Sequence, residues 1–530
     1  MRVVDYVVIG GGSAGCVIAG RLSEDPGRSV LLLEEGPRDL SPYIHMPVTY
    51  YKTAQGNLLA RYLWETGPDH AGVAQPNFAQ ARVLGGGSSV NAMVYIRGVP
   101  SDYDSWEAAG ATGWSFEDVL PYFKRSEHNE RFCNENHGID GPVGVSDPGH
   151  VHRLTKVWLQ ACQQAGLPYN PDFNSGVQDG CGIYQITTRD GRRSSTSVAY
   201  LKPARKRKNL SVKTGMRVLR ILLDKGRAVG VEYAHKGQVG RVFAEAEVIV
   251  SAGAINSPKI LMLSGIGPAD HLKSHGIPVV SDLRGVGRNL QDHVEVSLIS
   301  ELTGPHSYDK YKKLHWQAVA GLRYLLFRDG PVSSNVVEAG AFWRSAHATK
   351  AGADSQYCFF PGAGIEEGVA AVPSGNGCTL NVCQTRPKSV GSVGLRSSDP
   401  AAMPLIRPNY LQETQDVDCM ADAVAYGREI MSQPALKKFI RNEYIPAEPL
   451  RTRADYIAFV RKEAHAALHP VGTCRMGDAA AVLDPQLQVR GIDRLRVADA
   501  SVMPNLCSGN TNAASIMIGE KAADLIRRAG

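Results

Sequence analysis

Short, unbroken apolar runs punctuate the two ends and the middle of this chain. Tyr6-Val7-Val8-Ile9 and Val30-Leu31-Leu32-Leu33 predict strands, and Cys16-Val17-Ile18-Ala19-Gly20-Arg21-Leu22 between them reads as an amphipathic helix. Strand-like alternation returns in Leu210-Ser211-Val212-Lys213 and in Ala228 to Tyr233. An apolar strand from Glu247 then ends in the small residues Ser251-Ala252-Gly253-Ala254, where a backbone can lie close to a nucleotide. Near the C-terminus, Leu495 to Asp499 predicts a strand and Ala513 to about Arg527 a helix. Residues 155–200 are mixed, with loops such as Asn170-Pro171-Asp172-Phe173-Asn174. Residues 300–460 carry tryptophans, tyrosines and turn-rich segments without a nucleotide motif.

The turn after the first strand is Gly10-Gly11-Gly12-Ser13-Ala14-Gly15, and Glu34 ends the second strand nineteen residues beyond Gly15. Strand, glycine turn, helix, strand and acid follow the order of a dinucleotide site. Gly10 permits the tight turn, Gly12 lets backbone approach a pyrophosphate, and Gly15 lets helix and strand pack closely. The helix N-terminus offers N–H groups and partial positive charge to phosphates. Glu34 can accept ribose hydroxyls and would repel a 2′-phosphate. This pattern alone leaves NAD and FAD both open.

Nucleotide features at both ends and in the middle predict an α/β fold with a discontinuous, Rossmann-like cofactor domain built from residues 1–155, 203–300 and 465–530. Residues 156–202 and 301–464 form a second, α+β, substrate-binding domain. A length of 530 residues suits two domains. Hydrophobic residues at 43% and charged ones at 21% are ordinary for a globular enzyme. A net charge of +6 argues against a dedicated nucleic-acid binder. The dense basic run Arg205-Lys206-Arg207-Lys208 reads as a solvated turn, with an anionic membrane surface as the alternative and loose membrane association left open. No stretch reaches the 18 apolar residues of a membrane span, and no secretory signal precedes the first strand. Ten cysteines without a CxxC pair read as reduced thiols in a cytoplasmic protein, and no metal site is expected.

The ordered set of longer motifs resembles the glucose–methanol–choline family of flavoprotein oxidoreductases over essentially the whole chain. After the first glycine motif and Glu34 come Ala81-Arg82-Val83-Leu84-Gly85-Gly86-Gly87-Ser88-Ser89-Val90-Asn91 and Gly253-Ala254-Ile255-Asn256-Ser257-Pro258. Then follow Ser264-Gly265-Ile266-Gly267-Pro268, Gly285-Val286-Gly287-Arg288-Asn289-Leu290-Gln291-Asp292-His293 and His469-Pro470-Val471-Gly472-Thr473-Cys474-Arg475-Met476-Gly477. The set closes with Arg496 to Pro504 and Asn510-Thr511-Asn512. The resemblance implies FAD. It assigns Gly10, Gly12, Ser13, Ala14 and Gly15 to the pyrophosphate and Glu34 to the adenosine ribose. Gly86, Gly87, Ser88 and Asn91 fall beside the phosphates and isoalloxazine, Val218 at the adenine, and Asp499 and Ala500 at the phosphate–ribityl region. Glu35, Arg82, Ala92, Val94, Ala252, Asn510 and Thr511 complete the cofactor set. Some relatives attach the flavin through a histidine in the glycine–serine segment; Val90 stands there, so a non-covalent, dissociable flavin is expected.

Oxidising an alcohol needs a base for the hydroxyl proton and an acceptor for the hydride, which is flavin N5. By resemblance His469 is the base. Asn510, where some relatives carry a second histidine, holds the substrate oxygen as a hydrogen-bond partner that cannot itself titrate. His293 is read as structural. Glu338 matches a segment that in choline-oxidising relatives meets the trimethylammonium group. Val337 and Leu468 leave an aromatic cage incomplete, so Glu338, with Asn335 and Leu468, is assigned to a neutral substrate. A structural carboxylate is the alternative for Glu338. Within the family the middle of the chain is similar to FAD-dependent sorbose dehydrogenases. The expected reaction is therefore oxidation of a primary alcohol of a sugar or polyol, L-sorbose to L-sorbosone leading, with electrons passed to a quinone-like acceptor other than oxygen. An oxidase or dehydrogenase acting on choline-like, aryl or furfuryl alcohols is the alternative.

Overall fold

The computed structural model describes residues 2–65, 77–365 and 369–529. β1 (Arg2–Ile9) lies between β2 (Val30–Glu34) and the strand Gln238–Val250, parallel to both. Leu210–Thr214 adds outside β2, and Leu495–Val497 pairs with the end of Gln238–Val250, again in parallel. Every residue of β2 is buried, and a strand covered on both faces reads as an unbroken apolar run. Arg217–Asp224 and Arg227–His235 form an antiparallel hairpin against the first part of Gln238–Val250 and complete this seven-stranded sheet.

α1 (Ser13–Leu22) leaves β1 through Gly10, whose φ of +96° is left-handed and whose Cβ would lie 2.4 Å from Ser251 O. A Cβ on Gly15 would lie 2.0 Å from Gly10 O, so helix and strand approach more closely than any side chain permits. The C-terminal helix Thr511–Ala529 packs along α1 at Gly519, where a Cβ would come within 2.9 Å of Ala14 O. Both ends of the chain thus converge on one strand end.

The second seven-stranded sheet is antiparallel throughout. Its order is Ile440–Ile445, Val294–Leu302, Gly377–Gln384, Ser355–Phe360, Ala339–Trp343 and Gly180–Ile183, with His465–Ala466 also pairing on Val294–Leu302. Alternation gives its central strands two characters. Tyr357, Phe359, Leu380 and Val382 join a core with Leu154 and Trp158 of helix Arg153–Gln164 and Met420 and Val424 of helix Thr414–Ser432; Trp158 stacks on Phe359 at 5.2 Å. Gln356, Cys358, Phe360, Asn381 and Cys383 face the other way.

The sheets exchange at Val294 and Ala466, close to but not at the predicted 300 and 465. In addition Ala199, Tyr200 and Leu201, expected in the second domain, pack in the core of the first. Apolar strand residues pair equally well in either sheet, and the apolar side chains of the helical segment Ser197–Leu201 pack equally well in either core, so the sequence pattern does not say which.

Candidate active site

A cavity of about 680 Å³ lies where the two sheets meet and is lined from both. At its first end α1 begins at Gly12 without a side-chain cap, and Gly12, Ser13 and Ala14 line the wall. The opening N–H groups and the positive end of the helix dipole are therefore available to an anion. A Cβ on Gly12 would meet only Ser251 O, at 3.7 Å, and one on Gly87 nothing within 4 Å. Protein packing demands neither glycine; the bare backbone leaves a cradle that a diphosphate can enter and a side chain would fill.

Glu34 accepts hydrogen bonds from the N–H groups of Gly11 and Gly36, each at 2.7 Å, and keeps lone pairs for a ribose. Burial pushes its carboxyl up to about 7 against those two bonds. Glu35 pairs with Arg217 at 2.8 Å and lies 3.9 Å from Arg82. Val218 and Ala252 line the same end; Gly86, Asn91, Ala92 and Val94 continue the wall. Asp499 accepts from Gly253 N, Ser257 Oγ and Ser501 N, fixing the turn that carries Ala500, and burial raises its pKa. Ser13 Oγ donates to Asn512 Oδ1 at 2.9 Å, which joins the starts of the two helices beside Thr511. Two helix N-termini, a carboxylate and bare glycines form a donor set that fits an adenine dinucleotide.

His469 lies on the cavity wall at the seam between the sheets. Its backbone N–H donates to Asp292 Oδ1 at 2.6 Å, and Tyr410 OH holds the other carboxylate oxygen at 2.5 Å. Leu468, immediately before it, is left-handed at φ 64° and faces the cavity 44% exposed. The tautomer of His469 follows from its neighbours. Cys507 O can only accept, so His293 Nε2 donates to it at 3.1 Å. His293 is fully enclosed, and burial holds its pKa well below the ordinary imidazole value, so the ring is neutral and Nδ1 carries a lone pair. His469 Nδ1 lies 3.0 Å from that atom and must donate to it. The lone pair of His469 is therefore at Nε2, 3.2 Å from Asn510 Nδ2. From the other side Gln356 Nε2 donates to Asn510 Oδ1 at 3.4 Å, which turns the Asn510 amide so that its N–H groups face His469. Burial lowers His469 to about 4, keeping Nε2 unprotonated at neutral pH.

Four predicted residues do not line the cavity. Gly15 and Ser88 are buried beside it; Gly15 serves helix packing, and Ser88 donates to Gly85 O while holding Thr196 N. Asn335 is fully buried and donates to Ala92 O at 2.7 Å, which makes it a strut behind the wall. Glu338 is also fully buried. Its oxygens accept from His152 N at 2.7 Å, Thr155 Oγ1 at 2.6 Å, Tyr308 OH at 2.5 Å and Ser334 Oγ at 2.6 Å. Four donors occupy all its acceptor directions, so no substrate group can reach it. It ties the start of helix Arg153–Gln164 to the segment before strand Ala339–Trp343, and the assignment to substrate gives way to the structural alternative. Glu338→Gln is expected to lower stability by roughly 1–3 kcal/mol with the alcohol KM unchanged. Thermal unfolding beside steady-state kinetics checks this, and a KM shift at unchanged stability contradicts it.

Sequence reasoning missed His293, Gln356, Cys358, Phe360, Asn381 and Cys383. The last five lie on one face of adjacent strands, with Gln356 opposite Cys383 and Cys358 opposite Asn381. A polar residue at alternate positions of an otherwise apolar strand was the available signal, and Asn381 and Gln356 carry it.

Two family models described as GMC oxidoreductase match residues 4–295 and 387–519. The chain is 41% identical over 530 residues to an alcohol dehydrogenase [acceptor] of Pseudomonas putida, covering 99% of this chain and 96% of that protein. It is 44% identical to an oxygen-dependent choline dehydrogenase of Rhizobium johnstonii, covering 98% and 95%. Among solved structures, pyridoxine 4-oxidase from Mesorbium loti superposes with a TM-score of 0.88 at 32% identity, covering 98% of each chain. Sorbose dehydrogenase, expected from the middle of the sequence, gives way to alcohol and choline dehydrogenases among these relatives. With its cradle, its histidine–asparagine pair and these likenesses across nearly its whole length, the chain belongs to the GMC oxidoreductase family, FAD-binding enzymes that act on CH–OH donors.

Proposed function

We propose that this chain oxidises a neutral primary alcohol carrying an apolar substituent, and passes the electrons to an acceptor other than oxygen. The observation that carries the reading is the lone pair fixed on His469 Nε2, opposite the Asn510 amide, in a cavity continuous with the nucleotide cradle. An alcohol oxygen seated beside both atoms, in place of their direct 3.2 Å contact, donates its proton to Nε2 and accepts a hydrogen bond from Asn510 Nδ2, so the base and the oxygen-holder have separate tasks. When bound, the flavin supplies the acceptor for the hydride leaving the alcohol carbon. The neutral imidazole can take up the proton because burial has kept it unprotonated beforehand.

Away from Asn510 the wall continues through Gln356, Cys358 and Phe360, and Val94, Val337 and Tyr50 pack near Phe360. This lining suits a hydrocarbon substituent better than the many hydroxyls of a sugar. The carboxylate assigned to a quaternary ammonium, Glu338, is fully engaged elsewhere, and Glu295 on the cavity wall lies 3.2 Å from His465 Nε2. The name of the Pseudomonas putida relative supports an acceptor-linked reaction. Anaerobic mixing with straight-chain alcohols, benzyl alcohol, choline and L-sorbose, read by flavin absorbance, tests the reading. Bleaching is expected to be fastest with neutral primary alcohols; choline or L-sorbose as the best substrate overturns it. Reoxidation by a soluble quinone should outpace reoxidation by oxygen.

The flavin is bound without a covalent link. Gly86 to Val94 contains no histidine, cysteine or tyrosine, and Val90 stands on the cavity wall. Acid precipitation should leave the flavin in the supernatant, and a yellow pellet refutes this.

A further inference from the structure

Helix Leu314–Phe327 reverses the usual arrangement of a surface helix. Of its fourteen residues only Ala320 and Tyr324 are buried. On the opposite side Val319, Leu322, Leu325 and Leu326 recur at three- and four-residue spacing and are 60%, 59%, 68% and 64% exposed. Leu314 and Phe327 extend the exposed surface at the two ends, and Trp316 flanks it at 41% exposure. A helix apolar on both sides belongs inside a protein or against lipid, and an exposed apolar face of this extent marks an interaction site.

The charges around it identify the partner. Residues 310–328 contain Lys310, Lys312, Lys313, Arg323 and Arg328, and no Asp or Glu. The bounding carboxylates are engaged, Asp309 with Lys312 at 2.8 Å and Asp329 with Arg323 at 2.7 Å. Lys310, Lys313 and Arg328 keep no carboxylate partner among the described residues. Two copies of the face brought together would oppose like charges, whereas anionic headgroups would neutralise them. An aromatic indole beside an apolar stripe and cationic ends is also the composition of an interfacial helix. Among the described residues no helix is long and apolar enough to cross a bilayer, so the contact is with its surface.

We infer that helix Leu314–Phe327 docks this protein on an anionic lipid bilayer, its leucine face in the acyl boundary and its lysines and arginines among the headgroups. The docked face lies close to the substrate end of the cavity. Val48 and Tyr311 pack under the helix with Ala320, Tyr324 and Val332. The same two side chains pack with Val94, Val337 and Phe360 of the cavity wall. Docking thus brings the cavity within a side-chain layer of the lipid, beside apolar alcohols and acceptors dissolved there.

The FAD-loaded full chain is to be sedimented with vesicles of phosphatidylcholine containing phosphatidylglycerol and with vesicles of phosphatidylcholine alone. Binding is expected to the anionic vesicles, at least tenfold weaker to the neutral ones, and reduced at high salt. Brominated lipid should quench Trp316; Trp64, Trp106, Trp114 and Trp158 are buried, and Trp343 stacks on Tyr426. The triple variant Leu322→Asp, Leu325→Asp and Leu326→Asp should lose at least tenfold in vesicle binding, with its flavin spectrum and its activity toward a soluble acceptor unchanged. Absence of binding to anionic vesicles overturns the inference, as does equal binding by the variant. A wild-type dimer that the variant dissolves, without lipid binding, assigns the face to a second copy. None of these outcomes depends on which alcohol is oxidised.

Discussion

Replacing His469 with Gln is expected to leave the FAD-loaded protein intact and to slow its anaerobic reduction by alcohol about 10²–10⁴-fold, the usual contribution of a general base. The glutamine can still hydrogen-bond the alcohol, so the KM should change far less than the rate. The cradle at Gly12, Glu34 and Gly87 does not involve this residue, and flavin content is the internal control. The pH profile carries a second expectation. Burial holds His469 near 4, below the ordinary imidazole value of about 6.5. A base whose pKa is depressed stays competent as the medium is acidified and fails only as pH falls through that lowered value. Flavin reduction should hold from neutrality down to about pH 5 and decline below it. Stopped-flow reduction across pH measures both effects. Near-normal reduction by the variant removes His469 from the mechanism, and an acid limb at or above 6.5 contradicts the burial argument.

His293 should be second in effect. His293→Leu removes the acceptor that fixes the proton on His469 Nδ1, and the ring can then place its hydrogen on Nε2, facing the alcohol with a donor. A loss of about 10–100-fold in flavin reduction is expected, comparable with other residues that orient a functional imidazole from behind, with little change in KM. His293→Asn restores an acceptor near the position of Nδ1 without restoring the bond to Cys507 O. If the residue only filled space, the two variants would be impaired alike, since both lose the contact with Cys507. Recovery of most of the rate by Asn and not by Leu identifies His293 as a positioning residue; equal impairment dismisses the role.

Much of the cofactor end was legible because it depends on backbone. Gly10 must turn left-handed, Gly15 must allow contact with the Gly10 carbonyl, and Glu34 must end β2, so residue type and spacing carry the geometry. His469 was legible only through its resemblance motif. His293 was not, because its role depends on the Cys507 carbonyl, which every residue possesses and no sequence pattern marks. Glu338 misled for the converse reason. A carboxylate beside the cavity-lining Val337 looks like a ligand until the donors from His152, Thr155, Tyr308 and Ser334 are seen together, and three of those residues are remote in sequence. The exchange between sheets at Val294 was likewise hidden, because strand pairing leaves no signature in an apolar run.

The alternation along Ser355–Phe360 has a consequence for divergence within such enzymes. Tyr357 and Phe359 are committed to the helices behind the sheet, while Gln356, Cys358 and Phe360 point into the cavity. Changes at the second set can refit the pocket to another alcohol without disturbing the packing that holds the strand. The same strand is thus conservative on one side and free to vary on the other, and new specificities can arise there while the nucleotide cradle stays as it is.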